Sequence, residues 1–300
     1  MTTPLIPALP PGACLGIVAP AGPPKPGVLE RVAPLVQRLG FVSKRFPGCA
    51  GPAHLGHLAA DDERRLQDLH AALADPEVHA LLCLRGGYGC IRIADRVDLG
   101  LVGRAAKPLI GYSDITTLHG LWARAGLPAW HAPMPASDWV KDGGWPDAEH
   151  LAAALQRGVW AGDVQQAEGP AHPLDQGGVV EGRLLGGNLS VIVSGLHTPA
   201  DPDWRGAVLF LEDVSEDPYR VDRYLTQLRL AGVLDAVAGF VLGGFSEADS
   251  ADAVLADALA PLAKPVLAGW PAGHVQPHRA LPLGLRVRLD VPARRLTWLD

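Results

Sequence analysis

The chain has little sulfur, no cluster of basic residues and no long apolar run. Only four of its 300 residues are cysteine and two are methionine. Cys14, Cys49, Cys83 and Cys90 include no C-x-x-C pair, so neither a zinc ribbon nor a thioredoxin-like redox motif can be built from them. Three of the four stand in apolar surroundings, which suits reduced, buried thiols in a reducing compartment. His54 and His57, in "HLGH", adjoin glycine and lack nearby carboxylates, so they do not resemble a zinc site. Neither a metal nor any other cofactor is expected. The formal net charge of -6 is spread without a basic block, which excludes nucleic acid and an anionic membrane surface as natural partners. No stretch approaches the roughly 18 uninterrupted apolar residues that span a bilayer. The opening "MTTPLIPALPPGACLGIVAP" has no basic region leading into a continuous apolar one, so a cytoplasmic location is expected.

What the chain does have is apolar content, at 48%, punctuated by 28 prolines and 35 glycines. The apolar segments alternate in type. "CLGIVAP" (14–20) reads as a strand and "GVLERVAPLVQRLG" (27–40) as a helix; "DERRLQDLHAALAD" (62–75) is a second helix and "VHALLCLRG" (78–86) a buried strand. "KPLIGYS" (107–113) is a further strand running into a helix at "DITTLHGLWARAG" (114–126). Strand–helix alternation implies an α/β fold with a mostly parallel sheet, whose ligands bind beyond the carboxyl ends of the strands. Beyond about residue 140 turn-rich connections surround one helix (147–158), and a second α/β unit with a strand-rich end follows. The expected division is 1–145 for a domain carrying a nucleophile and 146–300 for a linker and second domain.

Ser113, in "LIGYSDITTLH", occupies a predicted strand-to-helix turn, where a serine is either a helix cap or an exposed nucleophile. "CLRGGYGCIRI" places three glycines directly after a buried strand, so backbone N–H groups there can approach a ligand oxygen; neither a Walker nor a dinucleotide-binding spacing is present. Among eleven histidines, His119 lies nearly two helical turns from Ser113, too far to serve it. His131 in "WHAPM" and His274 in "PAGHVQP" both follow predicted strand ends, and the pattern does not choose between them. Glu212, abutting "VLFL", is the carboxylate best placed to orient an imidazole; Glu216 and Asp217 read as favouring the positive end of the next helix.

The blocks "RGGYG", "GYSD", "GRLLGGNL", "LFLEDVSEDPYRVDRYL" and "GHVQPHRALPLG" stand in the order and near the spacings of the LD-carboxypeptidases, and the chain resembles that family over almost its whole length. The resemblance implies a serine peptidase that trims murein tetrapeptides, with Ser113 as nucleophile, Glu212 as orienting acid and His274 as base. It also implies an N-terminal domain like that of class I glutamine amidotransferases, a C-terminal domain of swivelling β/β/α type, and a homodimer. The chain departs from the family where its first strand ends in Pro20, Ala21 and Gly22 in place of Pro-Ser-Gly. The G-x-S-x-G elbow of α/β-hydrolases is absent, because position 115 is Ile.

Under that reading the backbone N–H groups of Gly87 and Asp114 are the candidates for an oxyanion hole. Arg85 is a candidate for the substrate's terminal carboxylate, with an ion pair inside its own loop as the competing reading. The expected substrate is a murein tetrapeptide or a muropeptide. Two rivals stand beside it. One is an enzyme similar to the microcin-immunity peptidases, cleaving peptidyl or aminoacyl nucleotides, with "DWVKDGGW" (138–145) supplying an aromatic for the base. The other is a noncatalytic peptide-binding protein in which Ser113 is only a cap.

Overall fold

The computed structural model describes residues 5–300. Five parallel strands, β1 (Cys14–Val18), β2 (Val42–Arg45), β3 (Val78–Cys83), β4 (Leu109–Gly111) and β5 (Ala129–His131), form the first sheet. The second sheet contains β6 (Val164–Gln166), β7 (Val179–Asn188), β8 (Val208–Val214), β9 (Gly239–Ser246) and β10 (Val266–Leu267). After these come β11 (Leu281–Leu283), β12 (Arg286–Asp290) and β13 (Arg295–Trp298).

The sheet orders are β11-β5-β4-β3-β1-β2 and β10-β9-β8-β7-β12-β13-β6. The two sheets therefore exchange elements along the chain. β11 comes from the last twenty residues yet pairs antiparallel with β5 in the first sheet. The helix Trp145–Arg157 likewise returns to the first unit: Leu151 and Leu155 share a core with Leu15 and Ile17, and the Leu9 N–H donates to the Leu155 carbonyl at 2.8 Å.

Strand character follows burial. β3 (VHALLC) and β8 (VLFLEDV) are almost wholly buried, as continuous apolar runs in a parallel sheet should be. β2 (VSKR) was not legible because it is an edge strand whose polar side chains have no burial to encode. β7 changes character along its length. Its first half is half-exposed and pairs antiparallel with β12, whereas its second half pairs parallel with β8. The expected helices form at Leu29–Arg38, Asp62–Ala74 and Thr116–Arg124, and further helices at Pro218–Leu230 and Asp252–Leu259 belong to the second unit. Cys49, Cys83 and Cys90 are buried, Cys14 is half-buried, and all four are free thiols. No helix is long and apolar enough to cross a membrane among the described residues.

Candidate active site

Ser113 follows β4 by two residues and sits at φ +65°, in the left-handed region that a non-glycine side chain occupies only under strain of about 1–3 kcal/mol. It does not cap. The short turn Ser113–Ile115 and the helix after it begin on Tyr112 and Ile115, and neither start carries a side-chain capping bond. The strained turn therefore holds the hydroxyl at the carboxyl edge of the sheet without using it to complete the helix. G-x-S-x-G is not needed for this geometry. Ile115 is fully buried under the turn, and the glycine that the turn requires comes earlier: at Gly111 (φ +158°) a Cβ would meet Ile115 Cγ1 at 3.0 Å and Cys83 Cβ at 3.1 Å.

The "RGGYG" loop meets this turn directly. A Cβ on Gly86 would stand 2.8 Å from both Cβ and Oγ of Ser113 and 3.5 Å from the Asp114 nitrogen, so only glycine lets the loop come so close. Gly87, at φ +114°, packs on Gly22, whose N–H donates to the Gly86 carbonyl at 3.1 Å. The Pro20-Ala21-Gly22 segment thus braces the glycine loop through backbone alone. Asp114 turns its side chain away from the opening: the carboxylate accepts the Cys90 N–H at 2.8 Å, and burial pushes its pKa up. Arg85 makes no ion pair among the described residues. Its Nη1 donates to the Pro23 carbonyl at 3.1 Å, and its Nε is buried without a partner.

The second domain supplies an acid and an imidazole. Glu212, near the carboxyl end of β8, is fully buried, and its Oε2 lies 2.7 Å from His274 Nδ1 while accepting the His274 backbone N–H at 3.2 Å. The carboxylate thus orients both the ring and the backbone of one residue. Glycine at 273 makes this closeness possible, since a Cβ there, at φ +104°, would overlap Glu212 at 2.7 Å. Burial pushes the His274 imidazole down, but the hydrogen bond and charge of Glu212, with Asp138 and Asp213 farther off, outweigh it and hold the ring above its usual value. Burial alone would raise Glu212; its contacts with His131 and His274 override that and hold the carboxyl well below the usual range.

Tyr112, the residue before Ser113, packs on His274: the two ring centroids lie 4.7 Å apart, and the tyrosine hydroxyl donates to Asp138 Oδ1 at 2.8 Å. Among the described residues no hydrogen bond joins Ser113 Oγ to the imidazole. Tyr112 and His274, with Asp138, Asp142, Gln276 and His278, line a cleft of about 320 Å³. The Ser113 turn is tied to the second sheet as well: Thr116 Oγ1 accepts the buried Asn188 N–H at 3.0 Å. Asn188 Nδ2 in turn donates to Asp213 Oδ1 at 2.8 Å, and burial raises Asp213 to about 6.

Of the residues expected from sequence, Glu212 and His274 come together; His119 is buried in its helix, away from the cleft-lining set. His131 is not the ring that hydrogen-bonds the acid closely. It lies fully buried on β5 with Nε2 3.7 Å from the other oxygen of Glu212. Tyr112, Thr116 and Asn188 were missed, although all three sit inside or beside the "GYSD" and "GRLLGGNL" blocks; their roles depend on contacts between domains that no local pattern encodes. The tryptophans of 138–145 do not offer an aromatic face to the cleft. Trp139 is buried with its Nε1 donating to the Pro133 carbonyl at 3.0 Å, and Trp145 lies under the Arg38 guanidinium, 4.0 Å from ring centroid to Cζ.

Comparison with known proteins agrees with this architecture. The LD-carboxypeptidase N-terminal domain model matches residues 15–132, and the LD-carboxypeptidase C-terminal domain model matches residues 181–289. A probable murein peptide carboxypeptidase of Bacillus subtilis (strain 168) is 36% identical over 294 residues, covering 94% of this chain and 90% of that protein. The crystal structure of muramoyltetrapeptide carboxypeptidase from Oxalobacter formigenes superposes with a TM-score of 0.84 at 29% identity, covering 96% of this chain and 99% of that one. The microcin C7 self immunity protein, in complex with aspartyl sulfamoyl adenosine, has the same fold: TM-score 0.88 at 23% identity, with 99% of each chain covered.

Proposed function

This chain belongs to the LD-carboxypeptidase family, and from that premise we propose that it is a cytoplasmic serine carboxypeptidase releasing the terminal D-alanine of murein tetrapeptides in peptidoglycan recycling. The observation that carries the reading is the pairing of the fully buried Glu212 with His274, 2.7 Å apart, with the imidazole 4.7 Å from the ring of Tyr112, the residue that precedes Ser113 on its strained turn. The names of the Bacillus and Oxalobacter relatives supply the substrate class.

His274 Nε2 removes the Ser113 proton as Oγ attacks the carbonyl of the L-configured centre. The tetrahedral oxyanion is held by the N–H groups of Gly87 and Asp114, each donor of this kind being worth about 3 kcal/mol. Imidazolium, steadied by Glu212, then protonates the departing amine of D-alanine. Water, deprotonated by the same ring, releases the acyl group and restores the serine. Arg85 takes the substrate's terminal carboxylate by exchanging its Pro23 carbonyl for the anion. Substrate binding draws Ser113 and His274 into hydrogen-bond contact, as such pairs do on passing from the free enzyme to the complex. A homodimer is the assembly proposed from the family.

Hydrolysis of aminoacyl nucleotides is the weaker reading. The likeness to the microcin immunity protein is one of fold, and Trp139 and Trp145 are engaged away from the cleft, so the 138–145 stretch offers no stacking platform for a base. Purified protein given murein tetrapeptide and, separately, an aminoacyl adenylate should release D-alanine from the first and leave the second intact. Ser113→Ala should reduce D-alanine release by at least about 10⁴-fold. Release at the wild-type rate from this variant would remove the acyl-enzyme mechanism, and cleavage of the adenylate alone would replace the substrate.

A further inference from the structure

Glu212 is flanked by two imidazoles, and the mechanism uses one. Its Oε2 serves His274; its Oε1 is buried without a hydrogen-bond partner in a residue with no exposure. The nearest group of complementary chemistry is His131 Nε2, 3.7 Å away, and both nitrogens of that fully buried ring are likewise without partners. An isolated buried carboxylate oxygen and an isolated buried imidazole N–H are each costly, of order 1–3 kcal/mol, whereas the two facing one another relieve both costs. The surroundings favour that pairing. Phe210 and Tyr112 each meet the His131 ring edge to face, at 5.0 and 5.6 Å between centroids, so aromatic rings enclose the contact. The contact also joins the two sheets, for His131 ends β5, in register with Gly111 of β4 and Leu281 of β11, while Glu212 lies on β8.

Resting on the triad proposed above, we propose that His131 is a positioning residue: its Nε2–H donates to Glu212 Oε1 and fixes the carboxylate in the plane that serves His274. A carboxylate bonded at one oxygen only is free to turn about its terminal torsion, which is broad and roughly two-fold. Bonded at both, it holds the His274 ring in one orientation and one tautomer, with Nδ1–H toward Glu212 and Nε2 free for Ser113. His131 also shares the negative charge of Glu212, so the base is less strongly coupled to its acid than it would be alone. The groups facing this pair are Glu212 and Asp213 on β8, Tyr112 after β4, His119 in the helix 116–124, Asp138 in the following loop, Glu247 after β9, and His278 beside His274. Removing His131 leaves all of these in place, so a displaced titration of His274 reports the lost donor.

The test is His131→Phe, which keeps the ring shape and deletes the donor, beside His131→Gln, whose amide can donate from a similar reach. In His131→Phe, kcat for D-alanine release should fall by about tenfold or more with KM little changed. The acidic limb of kcat/KM should move up by about half a unit, because the whole charge of Glu212 then acts on His274. His131→Gln should bring kcat back to within about threefold of wild type and return the limb. The titration of His274 followed by ¹⁵N–¹H NMR in the substrate-free protein should show the same upward shift in His131→Phe. This last measurement needs no turnover: absence of D-alanine release by the wild type would overturn the proposed function and leave the NMR shift to decide the inference. An unmoved His274 titration in His131→Phe overturns it, as does a loss as deep as that of Ser113→Ala, which would make His131 the base. If His131→Phe does not fold, His131→Asn, too short to reach Glu212, takes its place under the same criteria.

Discussion

Ser113, Glu212 and His274 each owe their usefulness to a glycine or a buried neighbour that limits where the side chain can go. Gly86 admits the loop to within van der Waals reach of the Ser113 hydroxyl, and Gly273 admits the His274 loop to the Glu212 carboxylate. The resulting pair has a pH signature. In the proposed mechanism His274 accepts the serine proton only when neutral, and Glu212 holds its pKa above 6.5, so kcat/KM should rise with pH through a limb lying above 6.5. Glu212→Gln removes the hydrogen-bonded charge and leaves burial, which pulls the ring down. The His274 titration in that variant should therefore fall below its wild-type value, while kcat drops by about 10⁴-fold because the tautomer is no longer enforced. NMR titration of His274 with initial rates across pH checks both; a limb unmoved in Glu212→Gln would mean that Glu212 does not set the base.

Elements matter as carriers of strand ends. β4, β5 and β8 deliver Ser113, His131 and Glu212 because a parallel strand finishes where its loop can turn outward, at the carboxyl edge. The His274 loop, between β10 and β11, bridges the two sheets, since β10 belongs to the second and β11 to the first. Its conformation hinges on Gly273 at φ +104°. Gly273→Ala forces a side chain into a backbone region it tolerates poorly and a Cβ to within 2.7 Å of Glu212. It should destabilise the protein by about 1–3 kcal/mol and return the His274 titration toward 6.5, with urea unfolding and NMR as the readouts. Wild-type stability in this variant would show that the loop is free to rearrange. The strands and helices that carry the site were legible from apolar runs and terminal glycines because their burial is written in composition. β2 and the pairing of β11 with β5 were not: an edge strand has little to bury, and a three-residue strand takes its partner from the sheet it happens to meet.

In the whole molecule, histidines are trapped in neutral form between the domains. Burial first, and the neighbouring His131 second, depress His119 to about 3 and His278 well below 6.5. The unfolded chain binds protons at these positions from about pH 6.5 downward and the native state does not, so stability falls as pH drops through that window. His119 alone removes roughly 3 kcal/mol by pH 4 at about 1.4 kcal/mol per unit. His274 acts with the opposite sign, its raised pKa adding stability below the unfolded value that is lost as pH rises through the folded one. Burial depresses His70 and His150 as well, so four lowered rings stand against one raised; Tm should decline between pH 6.5 and 4, and His119→Phe should flatten the decline in a calorimetric series, whereas an equal slope in wild type and variant would show that His119 is solvated in the native state. By itself the sequence determined the α/β class, the order of the five family blocks, and the candidacy of Ser113, Glu212 and His274, because glycines, apolar runs and strand-end carboxylates are local features. Local pattern left His131 and His274 open and the family resemblance named His274; only the tertiary structure decided which oxygen of the buried Glu212 each ring meets, with His274 2.7 Å from Oε2 and His131 3.7 Å from Oε1. That choice depends on how two sheets bring their strand ends together, and residues some 60 to 140 positions apart acquire a distance only when the chain has folded.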